Sequence, residues 1–151
     1  CVLNMGYYKG SVGQYETLNK NLLINNIHNY KIDIYTKFSN DSKLLQQLRD
    51  SNTKVDILFI DGDHTRQGVI NDWDNFHQFV NQGGFICFDD YYDDTYSPEV
   101  RPAVDSIVQN IDKTIYEVIG SLDNIHKLCC DDLSYKHPNH INEFIIRKKN
   151  I

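Results

Sequence analysis

The sequence predicts an α/β fold: a Rossmann-like, mostly parallel sheet with helices on both faces and an antiparallel C-terminal strand. Three observations carry that expectation. Val55 to Ile60 and Phe85 to Phe88 are nearly continuous apolar runs, the pattern of strands covered on both faces. Segments before, between and after them repeat their apolar residues at helical spacing. Each run also stops abruptly in acids, Asp61-Gly62-Asp63-His64 after the first and Asp89-Asp90-Tyr91 after the second.

In chain order, Val2 to Met5 reads as a short strand met in mid-course, so a first strand and other upstream residues are expected to be missing. Residues 1–151 are then one N-terminally incomplete domain. Gly6, Gly10 and Gly13 read as turn residues. Tyr15 to Asn26 has helical spacing through Leu18, Leu22 and Leu23, and Lys31 to Tyr35 alternates as a strand does. Ser39 and Asp41 are candidate caps for a helix whose apolar stripe is Leu44, Leu45 and Leu48. After the first acidic tip, Val69 to Val80 is expected as a helix with Val69, Trp73, Phe76 and Val80 on one face. Gly83-Gly84 is expected to close it, because glycine takes the left-handed cap conformation cheaply. Pro102 to Gln109 reads as a helix, and Ile115 to Ile119 and Asn142 to Arg147 as strands, with a polar stretch from Asp123 to His140 between those strands.

Composition limits the function classes. With 151 residues, 40% hydrophobic and 24% charged, the chain has the make-up of one soluble globular domain. No apolar run approaches the roughly 20 residues of a membrane span. A net charge of −6, with basic residues dispersed apart from Arg147-Lys148-Lys149, argues against a nucleic-acid partner. Cys1, Cys87, Cys129 and Cys130 form no spaced framework, which points to a reduced, cytoplasmic setting.

The chemistry is expected beyond the carboxyl ends of the parallel strands. Neighbouring strands lie about 4.8 Å apart, so acids at adjacent tips can converge on one point. Converging carboxylates repel unless a cation lies between them, and a hard ion such as Mg²⁺ takes oxygen ligands and keeps positions open. The competing reading is that Asp61 and Asp89 cap the helices that follow. His64, one turn beyond Asp61, has the side chain suited to taking a hydroxyl proton near neutral pH, or it is a structural histidine bonded to a neighbouring loop. His77 reads as a surface or packing residue. His126, Cys129, Cys130, His137 and His140 have zinc-ligand types without a paired zinc spacing, so a loop is the preferred reading there. Tyr91, Tyr92 and Tyr96 form either an acceptor wall or an aromatic lid on the sheet edge.

Phe59-Ile60-Asp61-Gly62-Asp63-His64, the following helix, Gly83-Gly84 and Phe88-Asp89-Asp90-Tyr91 together resemble the motifs of class I S-adenosylmethionine-dependent methyltransferases. The likeness is to the metal-dependent O-methyltransferases of the macrocin and mycinamicin type and the cephalosporin hydroxylase-like group. Val100-Arg101-Pro102-Ala103-Val104-Asp105 resembles the segment after the acidic pair, and Tyr116 to Gly120 with Asn142 to Ile146 the antiparallel pair closing the sheet. The resemblance implies Asp61, Asp89 and Asp90 as metal ligands and His64 as general base. It implies Asp41 and Ser42 as adenine contacts, with Asn40 where the family usually has glycine. Asn4 stands near the place of the acid that holds the cofactor ribose, Asp61 also lies on the cofactor side, and the family's glycine loop is absent from the chain. The function implied is S-adenosylmethionine-dependent, divalent-metal-dependent O-methylation of a small-molecule or sugar hydroxyl. A non-catalytic methyltransferase-like binding domain and a metal-dependent hydrolase are the alternatives, and the sequence leaves the acceptor and any homo-oligomer open.

Overall fold

The structure, a computed structural model, describes Lys20, Ile24 and residues 33–35, 37–121 and 143–151. The chain divides into two compact units, Cys1–Gln47 and Leu48–Ile151. Within the expected helix of Tyr15 to Asn26, both described residues, Lys20 and Ile24, are helical. Asp33 to Tyr35 carry no strand ladder, and the remainder of that expected strand, Val2 to Met5 and the stretch 122–142 lie outside the described residues.

Helix α1 (Ser42–Asp50) starts where its cap is. The Lys43 and Leu44 backbone N–H groups both donate to Asp41 Oδ1 at 2.9 Å, which satisfies two of the donors a helix start leaves open and holds the Asp41 carboxyl below the usual range. Leu44, Leu45 and Leu48 are its buried stripe.

Four strands form one sheet in the order β1 (Val55–Ile60), β2 (Val80–Phe88), β4 (Phe144–Lys148), β3 (Tyr116–Ser121). Strands β1 and β2 are parallel, and β4 runs antiparallel to both β2 and β3. The C-terminal strand is thus inserted between two earlier ones, as an antiparallel member of an otherwise parallel sheet. Helices α2 (Arg66–Phe76) and α3 (Val100–Asn110) pack on one face. There Ile60, Ile86, Phe88 and Ile146 meet Val69, Trp73, Val104 and Ile107. Ile86, Phe88 and Ile146 are fully buried, and each such side chain stabilises by about 1.5–3 kcal/mol through the apolar surface it removes from water.

Two expectations are corrected. The helix expected to reach Val80 ends at Phe76, followed by a 3₁₀ turn at His77–Phe79, and Val80 already belongs to β2. Gly83-Gly84 therefore closes no helix. Val55 pairs with Val80 and Ile57 with Phe85, so β2 spends five steps where β1 spends two, and the surplus bulges out. Gly83 takes the positive φ of 81° that the bulge needs, and a Cβ on Gly84 would stand 2.7 Å from the Asp56 carbonyl oxygen. The second correction concerns β1, expected to be covered on both faces. Ile57 and Phe59 are 65% and 52% exposed, while α2 and α3, among the described helices, lie against the other face.

His77 proves to be a packing residue. It stacks on Trp73 at 4.8 Å between ring centroids, and its Nδ1 lies 2.7 Å from the Tyr116 hydroxyl. Burial, aided by the Lys148 charge, lowers its pKa. The unfolded chain therefore binds the extra proton first, and stability falls as pH drops below the ordinary histidine value of 6.5. Denaturant unfolding between pH 7.5 and about 5 is expected to show that loss, and His77→Gln to flatten it. An unchanged slope in the variant would assign the pH dependence elsewhere.

Candidate active site

The two acidic tips leave the sheet side by side. The Asp89 backbone N–H donates to the Ile60 carbonyl at 3.0 Å, carrying the parallel ladder one residue past β2. Asp90 then turns into the left-handed region (φ 57°), which aspartate tolerates better than most residues. From the other tip, the loop of Asp61 to Thr65 brings His64 back over Asp61.

Both ring nitrogens of His64 face acids. Nε2 lies 3.2 Å from Asp61 Oδ1, and Nδ1 lies 3.4 Å from Asp90 Oδ2. Ser97, only 2% exposed, stands beside the ring: its Oγ is 2.8 Å from His64 Nδ1 and donates to Asp90 Oδ2 at 2.9 Å. One ligand-type atom from each of Asp61, His64 and Asp90 lies within 4.8 Å of the others. Among the described residues this trio has the geometry to hold a metal ion.

Asp89 flanks the trio without joining it. Its Oδ1 accepts the Asp90 backbone N–H at 2.9 Å. Burial raises its pKa, and the nearby Asp90, Asp61 and Glu143 charges add to the rise. Glu143, just before β4, has a buried Oε2 with no hydrogen-bond partner. Carboxylates gathered at partly buried positions, one of them with its pKa raised by its neighbours' charges, are what a bound cation would relieve, so the donor set fits a divalent metal.

For Asp61 the capping alternative is answered by what caps the helix. Thr65 is the N-cap of α2 and accepts from the Gly68 N–H at 3.1 Å. Asp63 Oδ1 accepts the Thr65 N–H at 3.0 Å, and Glu99 Oε2 accepts the Arg66 N–H at 2.7 Å. The donors at this helix start are served by Thr65, Asp63 and Glu99, and the Asp61 side chain turns to His64 instead.

Asn4 lies outside the described residues. Asp41 and Ser42 belong to the unit Cys1–Gln47, where Asp41 caps α1. The tyrosines divide between packing and surface. Tyr91 is buried, packs on Phe144 at 4.6 Å and donates to Asp105 Oδ1 at 2.7 Å; burial and that bond raise its pKa. Tyr92, with Arg101 over its ring at 5.7 Å, and Tyr96, 85% exposed, lie on the surface. Ser97 and Glu143 are the residues that sequence reasoning missed. No described helix is long and apolar enough to cross a membrane.

Residues 15–91, just over half of the chain and including both acidic tips, match a family described as "Methyltransferase domain". The chain belongs to this methyltransferase family. Membership supports S-adenosylmethionine as the methyl donor. The protein R132 of Acanthamoeba polyphaga mimivirus, described as uncharacterized, is 40% identical over 140 residues, spanning 89% of this chain and 63% of its own length. Among solved structures, the O-methyltransferase NovP superposes with a TM-score of 0.54 at 14% identity, over 99% of this chain and 56% of its own. The MycE methyltransferase of the mycinamycin biosynthetic pathway, in complex with Mg, SAH and mycinamycin VI, superposes with a TM-score of 0.50 at 15% identity, over 82% of this chain and 34% of its own. At these identities the structural likeness is one of fold. The chain spans less than two thirds of the length of each of these three proteins.

Proposed function

We propose that this methyltransferase domain carries out S-adenosylmethionine-dependent, divalent-metal-dependent O-methylation of a small-molecule hydroxyl, a sugar hydroxyl by resemblance to the macrocin and mycinamicin type, in the cytoplasm. The observation that carries the reading is the meeting of Asp61, His64 and Asp90 at paired strand tips of a methyltransferase domain. MycE, whose fold is similar, is a methyltransferase that binds Mg, SAH and mycinamycin VI, and this supports the choice of metal, donor and acceptor class.

Asp61 and Asp90 would hold the cation, with Asp89 beside them. Mg²⁺ bound there would supply Lewis acidity that lowers the pKa of an acceptor hydroxyl. His64, one third exposed, would take the hydroxyl proton, and S-adenosylmethionine, when bound, would supply the methyl group to the hydroxyl oxygen. The remaining contribution of the chain is positioning, which converts an encounter of separate reactants into reaction within one site.

Calorimetry on the full chain with S-adenosylmethionine and with SAH, its demethylated product, tests the donor, and EDTA tests the metal. Heat with both nucleosides and loss of methyl transfer on chelation are expected. Absence of binding by either nucleoside would end the enzymatic reading.

The acidic site also sets up a stability measurement. Asp89→Asn keeps an oxygen for the Asp90 N–H and removes a charge that burial and neighbouring acids disfavour. A raised carboxyl pKa costs stability above the ordinary aspartate value of 3.8, so the variant is expected to melt about 2–4 °C higher at pH 7 in EDTA. Saturating Mg²⁺ is expected to narrow or reverse the difference. A lower melting point for the variant in EDTA would refute the charge argument.

A further inference from the structure

We propose that Ser97 is a positioning residue that fixes the tautomer of His64, placing the ring hydrogen on Nδ1 and leaving Nε2 as the accepting nitrogen. Proton counting carries the inference. A carboxylate offers no hydrogen, and a serine hydroxyl offers one. Ser97 Oγ lies 2.9 Å from Asp90 Oδ2, so its single hydrogen serves that contact. The 2.8 Å contact between Ser97 Oγ and His64 Nδ1 then needs its hydrogen from the ring. The 3.4 Å approach of Nδ1 to Asp90 Oδ2 asks for a hydrogen on the same nitrogen, so two contacts claim it for Nδ1 against one, Asp61 Oδ1 at 3.2 Å, that claims it for Nε2. In the neutral imidazole the other nitrogen is then bare.

Ser97 is suited to hold this arrangement. It is 2% exposed, its backbone N–H donates to the Asp93 carbonyl at 3.1 Å, and its carbonyl accepts the Val100 N–H at 3.1 Å. The hydroxyl is thus anchored between the acidic tip and the start of α3. Nε2 faces Asp61 Oδ1 at 3.2 Å, on the more exposed side of the ring. A bare nitrogen facing a carboxylate is unfavourable unless something positive or a donor comes between them. That is the position from which a base takes a proton, and this part of the role rests on the methyl-transfer reading above. The logic is that of a base whose orientation is set by a third group.

The test reads the tautomer directly and needs neither donor nor acceptor. The full chain is labelled with ring-¹⁵N histidine, and two-bond ¹H–¹⁵N correlation spectra are recorded at alkaline pH. His64 is assigned from the signals lost in His64→Gln. The wild type is expected to show His64 protonated on Nδ1. Ser97→Ala is expected to move the population to Nε2–H, which can donate to Asp61, and Ser97→Thr to restore Nδ1–H. In a methyl-transfer assay, Ser97→Ala is expected to lower kcat about 10-fold with KM for the donor unchanged, and Ser97→Thr to recover it. A wild-type His64 protonated on Nε2 would overturn the proposal, and that spectrum decides even where Ser97→Ala fails to fold. So would a tautomer that Ser97→Ala leaves unchanged. The Nδ1–H tautomer in a chain without methyl transfer would uphold the positioning role and refute the enzymatic reading alone.

Discussion

Converting both Asp61 and Asp90 to asparagine is expected to abolish millimolar divalent-cation binding, and Asp90→Asn alone to weaken it by about 10–100-fold. Asparagine is chosen for three physical reasons. It tolerates the left-handed backbone at position 90, where φ is 57°. Its carbonyl oxygen can still accept from Ser97, now 2.9 Å from Asp90 Oδ2. It removes the negative charge and little else. The measurement is a Mn²⁺ or Mg²⁺ titration by calorimetry, with melting temperature recorded alongside. The double variant is expected to melt no lower than the wild type in EDTA, because two neighbouring acids lose their mutual repulsion. Unaltered cation affinity in a folded double variant would remove the metal site from the proposal. Methyl transfer without added metal by that same variant would remove metal dependence from the function.

Much of the sheet was legible because its central strands announce themselves locally. Ile57-Leu58-Phe59-Ile60 and Phe85-Ile86-Cys87-Phe88 are short apolar runs bounded by polar residues, and both lie within observed strands. The start of α1 was legible for a similar reason, since a cap and its leucine stripe are neighbours in sequence. The end of the following helix was not. Gly83-Gly84 serves equally as a helix stop or as a bulge, and only the pairing of β2 with β1 decides between them. Exposure of Ile57 and Phe59 was illegible too, because an apolar run does not reveal on which side helices will lie. In the site, Asp61, His64 and Asp90 could be picked out by their position after apolar runs. Ser97 could not. It is one serine in the polar stretch Thr95-Tyr96-Ser97-Pro98-Glu99, and its importance arises where that stretch meets the loop after β1, 33 residues earlier in sequence.

Gly68→Ala is expected to destabilise the protein by about 1–3 kcal/mol, the cost of forcing extra atoms into packed space, and to displace the loop that carries His64. Helix propensity alone argues the reverse. Alanine inside a helix is favoured over glycine by about 1 kcal/mol, and position 68 lies in the first turn of α2. Packing overrides that preference. A Cβ on Gly68 would stand 2.5 Å from both the Asp63 carbonyl oxygen and Asp63 Cγ, and 2.6 Å from its Cβ. Rotating the Asp63 side chain cannot clear a contact with its own backbone, so the loop of Asp61 to His64 has to move away from the helix. Movement there strains the 3.0 Å bond from the Thr65 N–H to Asp63 and separates His64 from Ser97 and Asp61. Thermal unfolding and the His64 ring spectrum are the paired measurements. A lower melting temperature together with a changed His64 signal is the expected result. A stabilised variant with an unchanged ring environment would show that the loop yields without cost, and that the close packing of Asp63 on α2 does not hold the site in place.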